Sequence, residues 1–172
     1  FDEGQLDGIL SMGGGGGTAI AAKAMRALPL GGPKVLVTTV GSGDVREIVG
    51  SKDITLIQAI VDIAGINRIS GSIYTQAAGA MAGMLSLEPP EIENERPLIT
   101  ASMFGNTTAC VDHARGILED NGFEVLVFHA TGSGGRMMES MIDEGLIAGC
   151  LDVTTTELAD EVCGGELSAG PH

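Results

Sequence analysis

Aromatic residues make up 3% of the 172-residue chain, with four Phe, one Tyr and no Trp. A core built on aromatic anchors is therefore excluded, and packing must come from Ile, Leu, Val, Ala and Met. These suit buried parallel strands covered by Ala-rich helices. Positive charge is scarce too: nine Lys and Arg stand against 23 Asp and Glu, a formal net charge of −14. Such a surface repels a phosphate backbone, so nucleic acid is not an expected partner. A small nucleotide held by backbone N–H groups, or bound with a cation, remains open. Three cysteines, Cys110, Cys150 and Cys163, have no metal-like spacing, and no metal site is expected. Their number argues for a reducing compartment rather than a disulfide framework. No apolar run reaches the roughly 20 residues of a membrane helix. The opening FDEGQLDGIL lacks the basic segment and apolar core of a signal peptide, so a cytoplasmic location and no membrane partner are expected.

What the chain has in abundance is glycine, 27 residues, concentrated where apolar runs end. Leu6–Met12 reads as a strand that runs into Gly13–Gly17, and Thr18–Leu28 as an Ala-rich helix stopped by Pro29 and Gly31–Pro33. Lys34–Val40 is a β-branched strand followed by Gly41-Ser42-Gly43-Asp44. A strand near Ile54–Ile57 and a helix near Gln76–Leu85 follow. The stretch EPPEIENER, 88–96, combines two prolines with five charges and reads as a linker. The pattern then restarts with strands at Pro97–Met103, Glu124–His129 and Leu146–Val153, and helices at Thr107–Asp120 and Arg136–Glu144. Thr154–Glu157 fits a capping box opening a last short helix. The fold expected is α/β, two parallel-sheet subdomains over residues 1–90 and 91–172.

Three strand-to-helix turns carry the candidate chemistry. In LSMGGGGGTA, the backbone N–H groups of Gly14, Gly15, Gly16, Gly17 and Thr18 would converge with the positive helix end on one spot, a geometry for phosphate. It is not a Walker loop, because no Gly-Lys-Ser/Thr follows. A dinucleotide pattern, Gly14-x-Gly16-x-x-Ala19, lacks the acid expected at the end of the next strand, which closes on Thr38-Thr39-Val40. The second loop, Thr131, Gly132, Ser133, Gly134 and Gly135, opens a helix in the same way, with Arg136 placed to offset phosphate charge. The third, Gly105, Asn106 and Thr107, supplies polar side chains, and a helix cap alone explains the residue types. Were the protein an enzyme, His129, Asp44 and Asp152 would be its candidates for cation or acid/base work. HExxH, GxSxG and paired-carboxylate signatures are absent from the sequence.

Taken together, GGGGGTAIAAKAMRALPLGGPKVLVTTVGSGD, VDIAGINRIS, AAGAMAGM, SMFGNTTACVDHAR, VFHATGSGGRMMESMIDEG and LDVTTTELADEV span nearly the whole chain. They resemble the bacterial and plant proteins that share the N-terminal domain of the tomato mosaic virus resistance protein, a largely uncharacterised group described as ATP-binding. The resemblance implies two Rossmann-like subdomains joined near 88–96, with the first incomplete in this chain. It also implies ATP or a related nucleotide as ligand, Mg²⁺ as its companion, and a homodimer. An enzyme acting at the same site on a phosphorylated or carboxylate small molecule, and a dimeric interaction module stabilised by nucleotide, are the alternatives.

Overall fold

The computed structural model describes residues 5–88, 90 and 95–171. Most of the expected linker, residues 89 and 91–94, lies outside them. The chain divides into two compact units, Phe1–Pro90 and Glu91–His172.

The first unit is a parallel sheet in the order β1-β2-β3, formed by β1 (Ile9–Gly13), β2 (Lys34–Thr38) and β3 (Thr55–Gln58). β2 is central and every residue in it is buried, as a strand covered on both faces must be. Its side chains alternate between two cores. Leu36 packs with Ala21, Ala22 and Met25 of α1 (Gly15–Arg26) and with Ile54. Val35 and Val37 pack on the other face with Ala77 and Met81 of α3 (Arg68–Ser86). Small alanines at these contacts let helix and sheet approach closely. A one-turn α2 (Arg46–Val49), unexpected from the sequence, joins α1 on its face. α3 starts eight residues before its expected position, because Asn67 and Ser70 form a reciprocal cap that the periodicity did not reveal.

Lys34 opens β2 with its side chain fully buried. Its ammonium donates to Pro29 O (2.7 Å), Gly32 O (2.9 Å) and Asp53 Oδ1 (2.8 Å), which uses all three donors. Partial burial pushes the Asp53 carboxyl up. The hydrogen bond from Lys34, the Gly31 amide and the Lys34 charge outweigh that and hold it below the ordinary value. Asp53→Asn should therefore destabilise the unit at pH 7 by about 2 kcal/mol. That is less than the roughly 3–5 kcal/mol of a fully buried broken pair, since Asp53 is 41% exposed. A depressed carboxylate stabilises above its unfolded pKa of about 3.9 and loses that contribution as pH falls through its folded value. Urea unfolding at pH 7 and at pH 3 should accordingly show the gap between wild type and Asp53→Asn shrinking in acid.

The second unit is a parallel sheet in the order β5-β4-β6, from β4 (Leu98–Met103), β5 (Glu124–His129) and β6 (Gly149–Leu151). The chain leaves β4 for β5 on one side and returns to β6 on the other. Right-handed crossovers in opposite directions place α4 (Thr108–Asp120) and α5 (Ser133–Asp143) on opposite faces. Ala101, Val111 and Val125 form the core beneath α4. α6 (Thr156–Cys163) closes the unit. The α/β reading with two Rossmann-like parallel sheets holds.

Candidate functional site

Each unit gathers its polar turns at the carboxyl ends of its strands, and the three turns differ in what fills them. In the first unit, β1 ends in Gly13, which must be glycine: a Cβ there would lie 2.6–2.7 Å from the backbone of Gly17 and Thr18. Helix α1 begins inside the glycine run, at Gly15 rather than Thr18. Thr18 is buried and braces the turn through its hydroxyl, to Gly13 O (3.1 Å) and Thr38 Oγ1 (2.6 Å). Its amide donates to Gly14 O (2.8 Å), so Thr18 shapes the loop and offers no N–H to a ligand. Gly15, Gly16 and Gly17 occupy the first turn of α1, where amides have no intrahelical acceptor. They are exposed, Gly14 provides no side-chain cap, and no acidic residue sits in that turn. A Cβ on Gly15 or Gly16 would meet nothing within 4 Å. The Thr39 hydroxyl stands 3.8 Å from the place of a Gly14 Cβ.

In the second unit, amides of TGSGGR already have partners within the chain. The Gly132 and Gly135 amides both donate to Oε1 of Glu157, at 2.6 and 3.0 Å, and the Thr131 amide donates to His129 O. Arg136 donates to Ser168 O (3.2 Å). Glu157 is not the capping-box partner the sequence suggested. Thr155 caps α6 without a side-chain bond, and Thr154 turns away to donate to Ser102 O (3.0 Å). A carboxylate on a neighbouring helix N-terminus is a tertiary contact, invisible to a four-residue motif.

The third turn lies where the chain order reverses, between the carboxyl ends of β4 and β6, the usual ligand crevice of an open α/β sheet. Buried Ser102 donates to Asp152 Oδ1 and accepts from the Thr154 amide (3.1 Å). Thr107 bonds Thr154 Oγ1 (2.8 Å) and closes on Phe104 through its hydroxyl. Gly105 and Asn106 are exposed at the tip. The His129 ring, exposed at the end of β5, stacks on Phe104 at 5.3 Å between centroids. The structure thus links Thr107 to Asp152 through Thr154 and Ser102, and leaves Asn106 exposed at the tip of the turn. Ser102, which the sequence reading missed, joins the two. The polar alternation Thr100, Ser102 in LITASM was the available signal.

Asp44 does not join a site within its unit. It grips Arg46 with both oxygens on the surface, and the side-chain and backbone hydrogen bonds from Arg46 hold it down to about 2. Among the described residues, no cluster of three or more His, Cys, Asp or Glu is placed to hold a metal, and no helix is long and apolar enough to cross a membrane.

Fold and site define a parallel α/β protein in which the glycine turn at α1 is exposed and the turns of the second unit are filled by the chain's own groups. The chain belongs to the uncharacterised protein family UPF0261, whose N-terminal domain matches residues 1–90 and whose C-terminal domain matches residues 96–172. It is 58% identical over 167 residues to a UPF0261 protein of Clostridium tetani, covering 97% of this chain and 41% of that one. A Rhizobium meliloti UPF0261 protein is 48% identical over 162 residues, 94% of this chain and 40% of the relative. The tomato ToMV resistance protein Tm-1(GCR237) is 44% identical over 172 residues, 97% of this chain and 23% of the relative. The chain therefore spans about two-fifths of its bacterial relatives and about a quarter of the tomato protein.

Proposed function

We propose that the protein binds a nucleotide, ATP or a close relative with Mg²⁺, and that the α1 turn holds its phosphates. One observation carries this reading. Gly15 and Gly16 have ordinary helical conformation and open space where a side chain would be, so the fold itself does not require glycine there. Glycine within a helix costs up to about 1 kcal/mol relative to alanine. Bare backbone at this price is explained by a ligand that must come close to the amides. The first-turn N–H groups and the helix dipole favour an oxyanion, and Thr39 adds a hydroxyl. Mg²⁺ would enter on the phosphates and offset their charge against an acidic surface. Calorimetric titration of the full-length protein with ATP, ADP and AMP, with and without Mg²⁺, tests the reading. Saturable heat is expected, and its absence in every arm would refute it.

β1 lies at the edge of the first sheet, where a further strand of a longer polypeptide would pair. A homodimer and a cytoplasmic location accord with the same reading.

A second reading, an enzyme acting on a phosphorylated or carboxylate substrate, draws on the Ser102–Asp152 pair at the β4/β6 crevice. Asp152 and His129 would be its candidate acid/base groups. Here Asp152→Asn should abolish any turnover found in a phosphatase, ATPase and acyl-transfer panel while leaving ATP affinity unchanged. Full turnover in that variant would remove Asp152 from the chemistry.

A further inference from the structure

The third strand of the first sheet carries an acceptor that the fold leaves unused. Thr38 and Gln58 are paired neighbours at the carboxyl ends of β2 and β3. The Gln58 carboxamide reaches across to β2, where its Nε2 donates to Thr39 O (3.2 Å). That bond fixes which end of the amide is which, since the reverse orientation would set two oxygens against each other. The other end, Oε1, is buried and has no hydrogen-bond partner. An interior acceptor left unpaired costs roughly 1–3 kcal/mol, and a methionine of similar length would fill the place without that cost.

The ground around Gln58 is unusual in two further ways. Gly41 lies directly over Oε1: a Cβ there would stand 2.7 Å from that oxygen and 3.2 Å from the Thr38 methyl. Gly41 belongs to a turn that closes on itself, from the Gly43 amide to Val40 O (3.2 Å), with Ser42 and Gly43 exposed. Lifting this turn uncovers Oε1. Two residues beyond Gln58, Ile60 has φ +63° and is 70% exposed. A β-branched residue in the left-handed region is strained, and here the strain holds an apolar side chain in water.

The place is continuous with the α1 turn. Thr39, whose carbonyl takes the Gln58 amide, is also the residue whose hydroxyl stands beside Gly14. β3 lies two strands from β1, about 10 Å at the ordinary strand spacing, a span that a nucleoside covers when its phosphates rest on α1. The end of β2 is where dinucleotide folds offer an acid to a ribose, and this chain has Thr38-Thr39-Val40 there.

We propose that Gln58 supplies the missing acceptor from the neighbouring strand: Oε1 takes a hydrogen bond from a ribose hydroxyl and makes the site selective for ribonucleotides. An uncharged acceptor suits the position, because a carboxylate would add repulsion against the phosphates nearby. Ile60 offers the base an apolar surface. The inference rests on the nucleotide reading of the α1 turn and adds to it which part of the ligand is recognised, and by which side chain.

The test measures, by calorimetry with Mg²⁺, the binding of three ligands to the full-length protein: ATP, its 2′,3′-dideoxy analogue and inorganic tripolyphosphate. Wild type should bind ATP at least tenfold tighter than the dideoxy analogue, because the acceptor stays unpaired when the hydroxyl is missing. In Gln58→Met, which keeps the length without the acceptor, ATP and the analogue should bind equally, with tripolyphosphate affinity as in wild type. Gln58→Glu retains an acceptor and should retain the preference. Equal affinity of wild type for ATP and the analogue would overturn the proposal with no substitution needed, so a variant that fails to fold does not shield it. A tenfold preference surviving in folded Gln58→Met would overturn it as well. Both of those results leave the nucleotide reading standing, whereas absence of binding by all three ligands removes that reading and this proposal with it.

Discussion

Replacing Gly134 by alanine should destabilise the second unit by about 3 kcal/mol or more, the upper end of what overpacking costs. A Cβ at this position would run into the carbonyl oxygen of His129, with the His129 carbonyl carbon at 2.7 Å and its nitrogen at 3.1 Å. All three are backbone atoms of the strand β5, fixed by parallel pairing to β4, so they cannot yield as a side-chain tip would. α5 would have to lift from the sheet. Its contact with Glu157 would stretch with it, because the Gly135 amide is the next residue. Gly116 is the control: it lies in α4 with open space around its Cβ position, so Gly116→Ala should stabilise by about 0.5–1 kcal/mol. Urea unfolding followed by far-ultraviolet circular dichroism reads both, as the chain has no Trp to report. Equal midpoints for the two variants would mean that α5 does not sit against His129 as described.

The second large effect separates stability from ligand. The double substitution Gly15→Ala, Gly16→Ala should leave α1 in place and raise stability by about 1–2 kcal/mol, since neither methyl meets another atom. The same two methyl groups project where an oxyanion must approach, and nucleotide affinity should fall tenfold or more. A variant that is both more stable and deficient in binding has no explanation in packing. If affinity were unchanged, the bare backbone of this turn would serve something other than a phosphate.

Much of this arrangement was legible in the sequence, and the parts that were not share a cause. Buried strands such as KVLVT and EVLVFH announce themselves by composition. Helix starts were misplaced where glycine occupies the first turn. α1 begins at Gly15 and α5 at Ser133, because low helix propensity says nothing about a first turn held by a buried Thr18 or by a carboxylate on another helix. The glycine turns looked alike as strings, and only tertiary contacts distinguish them. One is open, and the other is filled by Glu157, which lies 22 residues beyond Gly135. Asp44 was singled out for its place after β2, but its neighbour two residues on, Arg46, claims it. Ser102 escaped notice because a serine inside a strand carries no motif, and its meaning comes from the return of the chain to β6 beside it.

The central claim, that the α1 turn binds the phosphates of a nucleotide, is met most directly by titrating ATP and Mg²⁺ into glycine-labelled full-length protein and observing the Gly15, Gly16 and Gly17 amides. Saturable shifts of these three signals at one shared affinity are expected, and in the Gly15→Ala, Gly16→Ala variant the remaining Gly17 signal should no longer shift. Saturable ATP binding that leaves all three amides unmoved would contradict it.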